Sequence, residues 1–155
     1  MNDLTTIRNA IKTRLAALTV ANGYAFTLAS TNIVSVFDDP EQLAESLFPR
    51  AYVFTPPDNE ITIERQDIGQ TVNAMSAPIN VNLWRKLGIG DDISALADAT
   101  AAAAIKVIAT DTAWANNPDT LLLKSVKYHY LDLGGDTLMV ELRYEAAFEF
   151  NQQAP

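Results

Sequence analysis

Residues 121 to 150 read Leu-Leu-Leu-Lys-Ser-Val-Lys-Tyr-His-Tyr-Leu-Asp-Leu-Gly-Gly-Asp-Thr-Leu-Met-Val-Glu-Leu-Arg-Tyr-Glu-Ala-Ala-Phe-Glu-Phe. In the second half Leu138, Val140, Leu142, Tyr144, Ala146, Phe148 and Phe150 all fall on even numbers, while Glu141, Arg143, Glu145 and Glu149 are odd. Successive side chains of a strand point to opposite faces, so this alternation predicts an amphipathic strand. In the first half Leu122, Val126, Tyr128 and Tyr130 are also even. Partners in a hairpin must share the buried face, so even pairs with even. A two-residue Gly134-Gly135 turn would set Leu133 against Asp136 and put Lys127 and His129 among the apolar residues. A three-residue loop, Leu133-Gly134-Gly135, with a glycine in the left-handed conformation, avoids both. That register places Asp132 opposite Asp136, Lys127 opposite Glu141 and Ser125 opposite Arg143. The Lys–Glu pair contributes well under about 1 kcal/mol when exposed.

Upstream of the hairpin, Asp3 is placed to cap a helix whose Leu4, Ile7, Ile11, Leu15 and Leu18 recur at spacings of three and four, leaving Arg8, Lys12 and Arg14 to solvent. Asn22-Gly23 is expected to end it. The β-branched and aromatic run Ile33 to Phe37 predicts a strand, and Asp38-Asp39-Pro40-Glu41 predicts the start of a short helix reaching about Leu47. Pro49 stops that helix, and a short strand follows over Ala51 to Thr55. From Pro56 to Gln70 the chain is polar apart from Ile61, Ile63 and Ile68, and it reads as a projecting segment, either an edge strand or an extended arm.

Ile79, Val81 and Leu83 alternate with Asn80 and Asn82, a half-buried strand with Pro78 at its start or at a bulge. Gly88 and Gly90 end it. Asp91-Asp92 then caps an alanine-rich helix from about Ile93 to Thr110. Ser94, Asp98, Ala102, Lys106 and Thr110 make one narrow polar stripe on that helix. Ile93, Leu96, Ala97, Thr100, Ala104, Ile105, Val107 and Ile108 must therefore cover more than one face. Its alanines permit close approach of a sheet or another subunit, and high helix propensity accounts for them equally well.

These elements predict an α+β fold: a mostly antiparallel sheet with a long C-terminal β-hairpin, packed against an N-terminal helix and a central Ala-rich helix. A chain of 155 residues suits one domain, here 1–150 with a projecting segment at about 56–70 and a flexible tail at 151–155. Eleven Lys and Arg stand against 19 Asp and Glu, for a net charge of −8, which disfavours binding to nucleic-acid phosphates or anionic lipid. The absence of cysteine excludes disulfides, thiolate metal sites and cysteine nucleophiles. The amino terminus has no basic stretch followed by an apolar core, and the longest apolar run is far short of a membrane span, so a cytoplasmic start is expected.

Catalytic chemistry is not expected. His129 is the single histidine and lies on the polar face of the hairpin, with no orienting partner evident in the sequence. The acidic pairs Asp38-Asp39 and Asp91-Asp92 suit a Mg²⁺ or Ca²⁺ ion less well than they suit helix capping. Leu87-Gly88-Ile89-Gly90-Asp91 lacks the third glycine of a dinucleotide loop, and its acids would repel a pyrophosphate. No cofactor is expected. Trp114 is either an exposed anchor for a partner or a core lid over a helix end.

The order of elements, together with Leu4 to Leu18, Phe48-Pro49-Arg50-Ala51-Tyr52-Val53-Phe54, the strand Ile79 to Trp84, the helix start Asp91-Asp92-Ile93 and the closing Gly134-Gly135-Asp136-Thr137-Leu138-Met139-Val140, resembles the tail terminator, or minor tail completion, proteins of bacteriophages and prophages. The resemblance covers nearly the whole chain and carries no catalytic motif. It implies a virion protein, assembled in the host cytoplasm, that forms a ring, usually a homo-hexamer, on the end of the tail tube. Such a ring stops polymerisation and offers a surface to a head-tail connector protein, and DNA passes through it without specific binding. Another head-tail joining or baseplate protein is one alternative; a small-ligand-binding or enzymatic α+β domain, with Trp84 or Trp114 lining a cleft, is another. Subunit-contact candidates are Arg50 and Arg65, whose guanidinium forks recognise carboxylates, Ile61 and Ile63 on the projecting segment, Trp114, and Lys127, Glu141 and Arg143 on the charged face of the hairpin.

Overall fold

In the computed structural model, which describes residues 3–36, 38, 43–57, 62–66, 72–132 and 136–151, the longest ladder joins β4 (Val72–Lys86) to β6 (Asp136–Asn151). It runs without a break from Val72 opposite Asn151 to Lys86 opposite Thr137. On the far side of β6 lies β5 (Leu121–Asp132). On the far side of β4, β2 (Arg50–Phe54) pairs along Asn80–Trp84 and β3 (Thr62–Gln66) along Asn73–Ser76, so these two strands follow one another along a single edge. β1 (Ile33–Val34) adds parallel to β2. The fold is α+β, with a six-stranded, mostly antiparallel sheet of order β1-β2-β4-β6-β5 and β3 beside β4.

The core face of this sheet is set by parity. Leu138, Val140, Leu142, Tyr144 and Ala146 of β6 are buried together with Ala77, Ile79, Val81 and Leu83 of β4 and Ala51 and Val53 of β2. Two helices, α1 (Leu4–Leu15) and α2 (Ile93–Ile108), share one hydrophobic core with them. No helix among the described residues is long and apolar enough to cross a membrane.

The hairpin has the register read from its sequence: Asp132 opposite Asp136, Lys127 opposite Glu141, Ser125 opposite Arg143, Val126 opposite Leu142. The loop residues 133–135 lie outside the described residues. Two expectations fail. A shift between Leu123 and Ser125 inserts Lys124 as an extra residue, which reverses parity. Leu121 and Leu123 therefore face the core side, opposite Ala146 and Tyr144, and Leu122 faces outward opposite Glu145. The even residues of β5 also do not close the core. α2 lies over β6, and Val126, Tyr128 and Tyr130 remain exposed.

Asp3 caps α1, accepting from Thr6 N at 2.6 Å, and Ile7, Ile11 and Leu15 are buried. The helix stops at Leu15, before Asn22-Gly23. Those two residues instead close a 3-10 turn, where Gly23 takes φ 88°, a conformation that glycine adopts without a Cβ clash. Arg8 and Arg14 are not simply solvated. Arg8 donates to Thr55 Oγ1 at 2.7 Å, and Arg14 Nε reaches Asp111 Oδ2 at 3.0 Å. In α2, Asp92 caps Ala95 N at 3.0 Å while Asp91 accepts from Gly88 N at 2.6 Å, so both acids serve the turn. Ala97, Thr100, Ala101, Ala103, Ala104, Val107 and Ile108 are buried within the chain, as the broad apolar pattern requires, but Ile93 is exposed.

Further differences lie in the first half of the chain. β1 has two residues rather than five, and Phe37 and residues 39–42, where a helix start was expected, lie outside the described residues. Glu45–Leu47 is a single 3-10 turn. β4 begins six residues before Pro78. That proline occupies the gap between the end of β3 pairing at Ser76 and the start of β2 pairing at Asn80, where no strand on that side requires its missing N–H. Of the 56–70 segment, Thr62–Gln66 is an edge strand. Asn151, where a flexible tail was expected to begin, belongs to β6, and 152–155 lie outside the described residues.

Tyr144 is buried between Ile79 and Leu123, its hydroxyl has no hydrogen-bond partner among the described residues, and burial pushes its phenol pKa upward. An unpaired buried hydroxyl is destabilising. Tyr144→Phe is expected to raise unfolding stability by about 1 kcal/mol, read as a higher urea midpoint at unchanged slope. A lower midpoint would contradict it.

Candidate functional site

The end of the sheet at β5 is the most exposed apolar surface among the described residues. Among the described residues β5 pairs with β6 alone, so its other side is a sheet edge along a twelve-residue strand. Leu123, Val126, Tyr128 and Tyr130, on the side continuous with the core, are between 38 and 53% exposed. The tyrosines are held by acids rather than loose. Tyr128 donates to Asp98 Oδ1 on α2 at 3.0 Å and Tyr130 to Asp136 Oδ1 at 2.8 Å. Partial burial, then the Asp98 contact, raises the Tyr128 pKa. On the opposite face, Lys124 Nζ lies 3.8 Å from Glu145 Oε2, and His129 Nε2 lies 3.4 Å from Glu141 Oε2, an ion pair only when the imidazole is protonated. Glu141 thus contacts His129, diagonal to it, although Lys127 stands directly opposite.

The other end of the sheet forms a cleft on the face opposite α1 and α2. Ser35, Val36, Asp38 and Pro57 oppose Tyr52, Phe54, Asn82 and Trp84 around a volume of about 390 Å³. Register explains the aromatic wall: Tyr52 stands opposite Asn82 and Arg50 opposite Trp84, all outward at positions that alternate with the core. At its base the Asp38 carboxylate accepts from the Arg50 guanidinium and the Tyr52 hydroxyl. Burial raises the Asp38 pKa, but the hydrogen bonds from Tyr52 and Arg50 outweigh it and hold the carboxyl below the usual range. Burial and the Asp38 hydrogen bond push Tyr52 up to about 12.

The candidates named from sequence fall into three groups. Arg50 and Trp114 are both buried within the chain. Arg50 is 7% exposed and bound to Asp38, which leaves no free fork for a neighbour. Trp114, in α3 (Thr112–Ala115), is 5% exposed and donates from Nε1 to Ile108 O at 2.7 Å, so it is the lid over the end of α2 and not an exposed anchor. Lys127, Glu141 and Arg143 lie together on the outer face of the hairpin. Ile63 and Arg65 belong to β3, on the opposite edge of the sheet, and Ile61 lies outside the described residues. Sequence reading missed the exposed row of β5 because alternation identifies a shared face without saying how far a helix covers it. It named Trp84 as a cleft-lining residue, which it is, but set that cleft between helix and sheet and missed Tyr52 and Phe54. Tyr52, Phe54 and Trp84 share the parity of Asn80 and Asn82, which was the available signal.

Neither protein-family models nor curated proteins gave a match to this chain.

Proposed function

We propose that the protein is a structural subunit of a phage tail, a terminator that closes into a homo-oligomeric ring, a hexamer in the reading from resemblance, on the end of the tail tube. In that position it stops tube growth and presents a surface to the head-tail connector. The observation that carries this reading is the β5 edge. A long edge strand with an exposed apolar row is an aggregation hazard unless a partner covers it. A ring also requires an interface between two different surfaces of the same chain, and β5 lies at one extreme of the sheet with β1 and β3 at the other. The net charge of −8 suits a bore through which DNA passes without binding.

Electron micrographs of the purified protein test the reading. Closed rings with a central hole are expected, and a persistent monomer by light scattering would overturn it. Val126→Glu combined with Tyr128→Glu is expected to leave the monomer folded and to abolish the ring, since it places charge in the exposed row. The aromatic cleft favours a second reading, a domain that binds a small apolar ligand. Thermal stabilisation by such a ligand, without rings, would support that reading instead.

A further inference from the structure

The two free edges of the sheet match one another. Within the described residues, β5 pairs with nothing beyond β6, and β3 with nothing beyond β4. If β4 is taken as pointing up, β6 points down, β5 up and β3 down, because every one of these pairings is antiparallel. A second copy placed beside the first in the same orientation therefore brings its β3 antiparallel to β5, the more stable ladder. β1 offers only two residues on that side, whereas β3 offers five.

Charge separates this pairing from self-pairing of β5. Lys124 and Lys127 oppose a single acid, Asp132, so β5 is a basic strand in an acidic protein. Two β5 strands side by side would bring lysines toward lysines. By contrast, β3 carries one acid and one base, Glu64 and Arg65, and brings no excess positive charge to the lysines of β5. Each edge strand also has one register shift of the same sense, inserting Lys124 in β5 and Glu64 in β3, two residues of opposite charge.

The stagger is consistent with closure. β3 pairs at the Asn73–Ser76 end of β4, whereas β5 pairs with β6 from Asp136 to Ala146, toward the other part of β4. Joining β5 to β3 slides each copy along the strand direction, and a closed array of tilted strands requires such a shift. We propose that β5 of one copy adds edge to edge onto β3 of the next, making the sheet continuous around the ring. This deepens the ring reading and rests on it.

Because the chain has no cysteine, introduced thiols report without background. The test uses the full chain with Lys127→Cys and Glu64→Cys together, the pair that sets a lysine against an acid, treated with a short bifunctional maleimide and resolved under denaturing conditions. Ser125→Cys with Gln66→Cys, a pair in the same antiparallel register, is the second, in case the first perturbs folding. A covalent ladder extending to the copy number of the ring is expected from either double variant, and monomer from each single variant. A dimer from Lys127→Cys alone would show β5–β5 pairing and overturn the proposal. Rings in micrographs with no ladder from either pair would overturn this interface and leave the ring reading standing. A native protein that stays monomeric would overturn both.

Discussion

Replacing Trp114 by alanine is expected to lower unfolding stability by about 3–5 kcal/mol, the cost of removing a large buried aromatic side chain. The indole is nearly inaccessible, and its Nε1 donates to the carbonyl of Ile108, one of the last groups of α2 without a helical partner. Alanine removes both the packing and that hydrogen bond. Trp114→Phe keeps most of the apolar contact and is expected to lose considerably less. The measurement is the urea midpoint of the three proteins. A Trp114→Ala variant of unchanged stability but impaired association would show that the side chain serves a partner after all.

Removing Asp38 is expected to have a similar effect for an electrostatic reason. Its partner Arg50 has a side chain only 8% exposed, and the carboxylate is the counter-charge that the guanidinium has there. Taking one member from a buried pair costs about 3–5 kcal/mol, because the remaining ion is left without compensation. Asp38→Ala is therefore expected to destabilise by that order at neutral pH. The pH dependence has a definite sign. The folded pKa of Asp38 lies below its unfolded value of about 4. Its contribution is fully present above the unfolded value and disappears as pH falls through the folded one. The gap between wild type and Asp38→Ala should accordingly close on acidification below pH of about 4. A gap that persists at acid pH would mean that Asp38 acts through packing and not through charge.

Legibility from sequence followed the strength of local repetition. Seven even-numbered apolar residues in β6 left one parity available, and the register of the hairpin follows from them as far as Ser125. Beyond that point Lys124 breaks the period, and no local rule marks which residue of Leu-Leu-Leu-Lys-Ser will be the extra one. α1 and α2 were legible because their caps, Asp3 and Asp92, precede periodic apolar runs. Asp38 and Arg50 were misread for one reason. A capping motif and a surface arginine are local readings, while the ion pair between them joins β2 to a segment twelve residues earlier. β4 extended past Pro78 because proline disfavours a strand only where its N–H is needed, and that depends on where β3 and β2 stop.

The long ladder between β4 and β6 also sets a timetable. β6 is a central strand, flanked by β4 and β5, and it follows both of them in the chain. As the protein leaves the ribosome, β4 and β5 emerge with their apolar faces ready and the strand that belongs between them not yet made. Pairings this distant in sequence are slow to close. Until Asn151 has been synthesised, the nascent chain therefore holds two unpartnered edges where the finished sheet has a continuous ladder. Holding the growing chain free of association is then a task for the cell's chaperones rather than for the fold itself.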